Sequence, residues 1–122
     1  MVILSDVRES NSSLQTSTSI VAVFAGATSG IGASTLKALA LHTSDPKVYI
    51  IGRNEARASA LIKECLKTCP RGAFVFLKAD LSLLRNVDEL CEQIKKREET
   101  GRLDVLFMSQ GYITFEGRKG EN

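Results

Sequence analysis

The segment richest in chemistry is Gly26-Ala27-Thr28-Ser29-Gly30-Ile31-Gly32. A turn this dense in glycine can take positive backbone φ without steric cost, and a missing side chain lets a pyrophosphate approach the amides at a helix start. The last glycine lets the helix pack close to the strand before it. The chemistry on offer is the binding of a phosphate-bearing ligand. Other reactive side chains read more plainly. His42 stands alone at the end of a helical pattern, with no second histidine or nearby cysteine, so it is a helix-end or surface residue. Cys65 and Cys69 share a helix face at i, i+4, but two ligands do not make a zinc site, and they read as core or boundary thiols. The run Lys95-Lys96-Arg97-Glu98-Glu99 reads as the wet face of a helix end.

The elements that position the glycine turn follow from periodicity. Residues 20–25 (Ile-Val-Ala-Val-Phe-Ala) are continuously apolar and short, the pattern of a strand buried on both faces. After the turn, Ile31, Leu36, Leu39 and Ala40 recur at helical spacing to about His42, and Asp45-Pro46 blocks further helix. The unit then repeats. Residues 47–51 form a second strand ended by Gly52, and Asn54 can cap a helix carrying Ala58, Leu61, Ile62, Cys65 and Leu66. Pro70 and Gly72 stop that helix, residues 74–77 form a third strand, and Ser82 or Asp80 can cap a third helix with Val87, Leu90, Cys91 and Ile94 inward. Gly101 ends it, and residues 103–108 form a fourth strand. Strands alternating with helices imply an α/β fold of Rossmann type: a parallel sheet with flanking helices. Residues 5–19, rich in Ser, Thr and Asn, mark a flexible arm. The expected division is therefore an arm over 1–19, a nucleotide-binding domain over 20–111 and a tail over 112–122.

Composition narrows the partners. With 16 Lys plus Arg against 14 Asp plus Glu, the 122-residue chain has a formal net charge of only +2, and no basic stripe favours nucleic acid or an anionic membrane. A small-molecule ligand is the better expectation. Three cysteines without a Cys-x-x-Cys pair suit reduced thiols, and no window approaches a membrane span or a signal-peptide core, so a cytoplasmic location is expected.

The Gly-x-x-x-Gly-x-Gly spacing resembles the cofactor motif of the short-chain dehydrogenase/reductase family. Gly52-Arg53, Asp80-Leu81-Ser82 and Gly111 fall in the family's order after the second, third and fourth strands. The resemblance covers residues 20–111, the amino-terminal half of such enzymes, and is closest to reductases of fungal secondary-metabolite pathways. It implies that Gly26, Thr28, Ser29, Gly30, Ile31 and Gly32 cradle a dinucleotide. Where an NAD-preferring member offers an acidic residue to the ribose, this chain has Arg53, whose fork suits a 2′-phosphate, with Asn54 adding a neutral bond; the implied cofactor is NADP. By the same resemblance Asp80 and Leu81 lie beside the adenine ring, and Gly111 allows close approach to a ribose. The family's Asn-Asn-Ala-Gly is here Met108-Ser109-Gln110-Gly111, with Ser109 as a smaller polar substitute.

Family members transfer hydride with a Tyr-x-x-x-Lys pair and a serine beyond the fourth strand. Tyr112 has Glu116 four residues on and Tyr49 has Arg53, so no catalytic residue is assigned. The implied function is NADP-dependent oxidoreduction of a carbonyl or alcohol in secondary metabolism. The alternative is a truncated, non-catalytic NADP-binding or interaction module, a pseudoenzyme or a gene fragment. In either case the fourth strand is an apolar sheet edge, so homo-oligomerisation or aggregation is expected.

Overall fold

The computed structural model describes residues 1–15, 19–98, 101–111 and 115–117. Eight elements follow in chain order: α1 (Leu4–Ser12), β1 (Val21–Ala25), α2 (Gly30–His42), β2 (Lys47–Gly52), α3 (Glu55–Thr68), β3 (Ala73–Lys78), α4 (Leu84–Arg97) and β4 (Val105–Met108). The four strands form one parallel sheet in the order β3-β2-β1-β4. The expected Rossmann-type sheet with flanking helices is the observed one.

Strand character follows position. All five residues of β1 are buried, because it lies between β2 and β4 with helices on both faces. Ala22, Phe24, Val48 and Ile50 face α2 and α3 through Leu36, Ala40, Leu61 and Cys65. Val21, Val23, Tyr49 and Ile51 face the other way, toward Leu90 of α4. Phe107 of β4 stacks on Phe24 with ring centroids 5.2 Å apart, a pair that adds about 1 kcal/mol beyond its area and fixes β4 against β1.

The differences from expectation have local causes. Strand β4 starts at Val105, not at Leu103. As an edge strand it alternates half-buried and exposed residues, leaving Leu106 and Met108 open to solvent. A helix not expected from periodicity, α1, and a short 3-10 turn over Ser13–Gln15 lie within residues 1–19; no residue of α1 is buried, which is why the segment shows no apolar periodicity. Cys91, expected inward, is exposed on α4, and Leu66 is exposed on α3, because each helix is anchored by a narrower stripe: Leu90 on α4, and Ala58, Leu61 and Cys65 on α3. Cys65 and Cys69 are buried in the core, and burial raises the Cys65 thiol pKa. Glu98, read as part of a wet charge run, is only 10% exposed at its side chain. It accepts the Tyr49 hydroxyl at 2.9 Å and pairs with Lys47 at 2.5 Å.

Candidate functional site

The chain runs outward from β1 to β2 and β3, then returns to place β4 on the other side of β1. Helices α2 and α3 therefore cover one face and α4 the other, and the carboxyl ends of β1 and β4 flank the point where strand order reverses. Doubly wound sheets open a crevice at such a point. The glycine turn occupies it.

Each glycine has its own reason. Gly26 has φ +78°, and a Cβ there would lie 2.5 Å from the Gln110 backbone nitrogen, so both conformation and close approach require its bare Cα. Gly32 is the packing glycine: a Cβ would meet Ala27 Cα at 2.7 Å and Ser109 Oγ at 2.9 Å. Gly30 differs from both, with φ +60° and nothing within 4 Å of a built Cβ; its missing side chain opens toward solvent. Ser29 stands at the N-cap of α2 but makes no side-chain cap bond, so its hydroxyl does not satisfy the first-turn amides that a helix leaves unpaired. An exposed, uncapped helix start behind a glycine at positive φ has the geometry and partial positive charge that suit an anion. Ile31 is 79% exposed beside it. Thr28 sits over the end of β2, its methyl 3.1 Å from where a Gly52 Cβ would be.

The loops after β2 and β3 bring polar groups to the same end of the sheet. Asn54 caps α3, its Oδ1 accepting the Arg57 N–H at 3.0 Å, which leaves its side-chain NH₂ free to donate. Asp80 and Ser82 do not cap α4 as expected. The N-cap is Leu83, with no side-chain bond, because Asp80 Oδ1 is taken by the Ser82 hydroxyl at 2.7 Å and the Ser82 N–H at 3.0 Å. These hydrogen bonds, with a smaller contribution from the Arg53 charge, hold the Asp80 carboxyl below its ordinary pKa. Leu81 is half-buried beside it and packs against the core on the α4 face. Arg53 and Asn54 are exposed.

Ser109 closes the site from β4. Its amide bonds the Ala25 carbonyl at 3.0 Å, continuing the ladder, and its Oγ donates to the Gly26 carbonyl at 3.0 Å. The hydroxyl thus ties the fourth strand directly to the glycine turn. Gly111 has φ +139° and open space around a built Cβ. Of the two tyrosines, Tyr112 lies outside the described residues, and Tyr49 is fully buried and bonded to Glu98, away from this end of the sheet. Sequence reasoning missed Arg57, which joins Thr28, Ser29 and Gly30 in lining a groove beside the turn. The available signal was its place three residues after the Asn54 cap, in the first turn of α3. Among the described residues there is no cluster of three or more His, Cys, Asp or Glu able to hold a metal, and no helix long and apolar enough to cross a membrane.

Comparison with known proteins agrees with this geometry. Residues 20–120 match the family described as short chain dehydrogenase. The chain is 47% identical over 118 residues to oxidoreductase AN1596 of Emericella nidulans, covering 97% of this chain and 35% of that protein. It is 41% identical over 115 residues to the short-chain dehydrogenase/reductase SAT2 of Stachybotrys chartarum, covering 84% of this chain and 32% of that protein. This chain therefore spans about a third of the length of either relative. Among solved structures, YwfH, an NADPH-dependent reductase involved in bacilysin biosynthesis, is similar with a TM-score of 0.60 and 29% identity over 73% of this chain and 34% of its own. L-sorbose reductase from Gluconobacter frateurii, solved with NADPH and L-sorbose, has the same fold, with a TM-score of 0.67 and 20% identity over 82% of this chain and 36% of its own. With its glycine turn at the switch point of a parallel sheet, and with these matches along nearly its whole length, the chain belongs to the short-chain dehydrogenase family.

Proposed function

We propose that this chain carries the NADP-binding part of an oxidoreductase that interconverts a carbonyl and an alcohol. One observation carries the reading: a glycine at φ +60° with open space around it, at the uncapped start of α2. That cradle fits a pyrophosphate on its bare amides. Gly26, Thr28, Ser29, Gly30, Ile31 and Gly32 would hold the pyrophosphate and the adjacent sugar. Asp80 and Leu81 would flank the adenine, the carboxylate staying ionised and able to accept from its amine because Ser82 and Arg53 keep its pKa low. Ser109 and Gly111 would border the ribose nearer the reacting ring.

The choice of NADP over NAD rests on Arg53, an exposed guanidinium directly after β2. A planar fork binds a 2′-phosphate by charge-assisted hydrogen bonds and offers nothing comparable to a bare ribose hydroxyl. When bound, the reduced cofactor supplies the hydride. The described residues of this chain bind and orient it, and none of them is assigned the proton transfer. A role in secondary metabolism is supported by the similarity to fungal oxidoreductases and to YwfH.

Calorimetric titration tests the reading. NADP is expected to bind more tightly than NAD by about ten- to a hundredfold, and Arg53→Asp to abolish the preference. Equal affinities in the unaltered chain, or a preference that survives Arg53→Asp, would sink it.

A further inference from the structure

We propose that, in the 122-residue chain, α1 is a docking element for a second copy of the chain, and that its apolar stripe seats on the face of β4 that α4 leaves open. Two apolar surfaces stand uncovered among the described residues. One is on α1, where Ile3 at the N-cap, Leu4 and Val7 fall at three- and four-residue spacing on one side of the helix, and all three are exposed. The other is on β4. Leu106 and Met108 pair in register with Val23 and Ala25, which pack with Leu90 of α4, yet they are themselves 55% and 64% exposed. Helix α4 therefore covers β1 and stops short of β4.

Size, stability and charge name the occupant. Helix α1 has nine residues, about 13 Å of helix, and β4 has four, about 13 Å of strand, so the one spans the other. A helix this short is marginal in water by itself, and no residue of α1 is buried against its own chain. Leu106 and Met108 of that chain are open as well, so α1 does not lie on its own β4. Two copies that exchange these surfaces cover both in one closed pair. Asp6 and Glu9 border the apolar stripe on one flank, and neither makes an ion pair with a described residue. Beside the open face α4 ends in Lys96 and Arg97, whose side chains are likewise without a described partner. An acidic flank and a basic helix end are complementary, and such charges fix the register of an interface. With Arg8 as its one base, α1 lacks the basic face of a helix that lies on an anionic membrane.

Light scattering and disulfide trapping on the full chain test this. The unaltered protein is expected at twice its 13.3 kDa mass. Val7→Asp is expected to give a monomer with the near-ultraviolet signal of buried Tyr49 unchanged, because α1 buries nothing in its own chain. Leu106→Asp, at an exposed position, is expected to do the same from the other side. Chains carrying Val7→Cys and chains carrying Leu106→Cys, both with the exposed Cys91 replaced as Cys91→Ser, are expected to form a disulfide between unlike chains when mixed under mild oxidation. A monomeric unaltered chain overturns the proposal. So does a dimer that survives Val7→Asp, which would join β4 edges without α1, or one that survives Leu106→Asp, which would join α1 to α1. A chain carrying both Val7→Cys and Leu106→Cys that closes the bond within one monomer makes its own α1 the occupant and overturns it as well.

Discussion

The two ends of the sheet differ in how completely their polar groups are bonded within the chain. At the amino end they bond one another. Tyr49 donates to Glu98, Lys47 pairs with Glu98 and donates to the Arg97 carbonyl, and Asp104 accepts from the Val21 N–H at 2.8 Å and from Arg102 at 3.1 Å. Arg102 also donates to the Ser19 carbonyl, and the Ser19 hydroxyl reaches Asp45. These bonds join the starts of β1, β2 and β4 to the end of α4. At the carboxyl end, by contrast, the Ser29 hydroxyl caps nothing and Gly30 faces open space. Ser82 with Asp80, Arg57 with Asn54 and Ser109 with Gly26 still bond within the chain there, but the first-turn amides of α2 receive no side-chain cap. Polar groups that satisfy each other hold a fold together, whereas donors left pointing outward are preorganised for something that arrives later.

Substitutions at the glycines should separate the two roles within one turn. Gly32→Val has the largest expected effect on folding, because its Cβ would meet the Ala27 backbone at 2.7 Å. A loss of about 3 kcal/mol in chemical denaturation is expected. Gly30→Val meets no atom and carries only the strain of φ +60°, about 1 kcal/mol, yet it should remove NADP binding in the same titration. If Gly30→Val binds NADP as the unaltered chain does, the turn is structural at both positions and the contrast between the two ends of the sheet collapses.

A middle-sized effect is expected from Glu98→Gln, which weakens the amino-end network by about 1–2 kcal/mol at pH 7. Lys47 holds the Glu98 carboxyl below its ordinary pKa, with the Tyr49 bond adding to this. A depressed folded pKa means the contribution is complete above the unfolded value of about 4.3 and is lost as pH falls through the folded value. Denaturation curves of the unaltered chain and the variant should therefore begin to converge below about pH 4.3 and meet only once the pH is below the folded value. Curves that stay parallel into acid would show that the Glu98 charge does not stabilise the fold. Ser109→Ala should have the smallest effect, about 1 kcal/mol, since an exposed hydroxyl loses one bond to the Gly26 carbonyl. Its signature is a NADP affinity that drops with only this slight loss of stability.

Much of this was legible in the residues themselves. Continuous apolar runs marked β1 and β2, and the Gly26–Gly32 spacing between strand and helix marked the turn, because both signals are local. The Asn54 cap was legible for the same reason. What escaped depends on contacts between distant residues. Nothing in Lys95-Lys96-Arg97-Glu98-Glu99 indicates that Glu98 turns inward to a tyrosine 49 positions earlier. Asp80 and Ser82 are both good capping residues, and only the structure shows that they bond each other instead. Nothing local singles out Arg57, and only the fold sets it in one groove with Ser29. The exposed helix α1 buries nothing, so no hydrophobic pattern announced it.

The bond from Ser109 to Gly26 spans 83 residues, as does the pairing of Ala22 with Val105. By comparison β1 meets β2, and β2 meets β3, across one intervening helix each. Closing a longer loop costs more chain entropy, so the β1–β4 contact is expected to form after the other two pairings. The glycine turn takes its final shape only with that last closure, because Gln110 and Ser109 form one wall of it. A refolding chain should therefore recover most of its secondary structure before it gains affinity for a nucleotide, and the time between the two events measures the docking of β4.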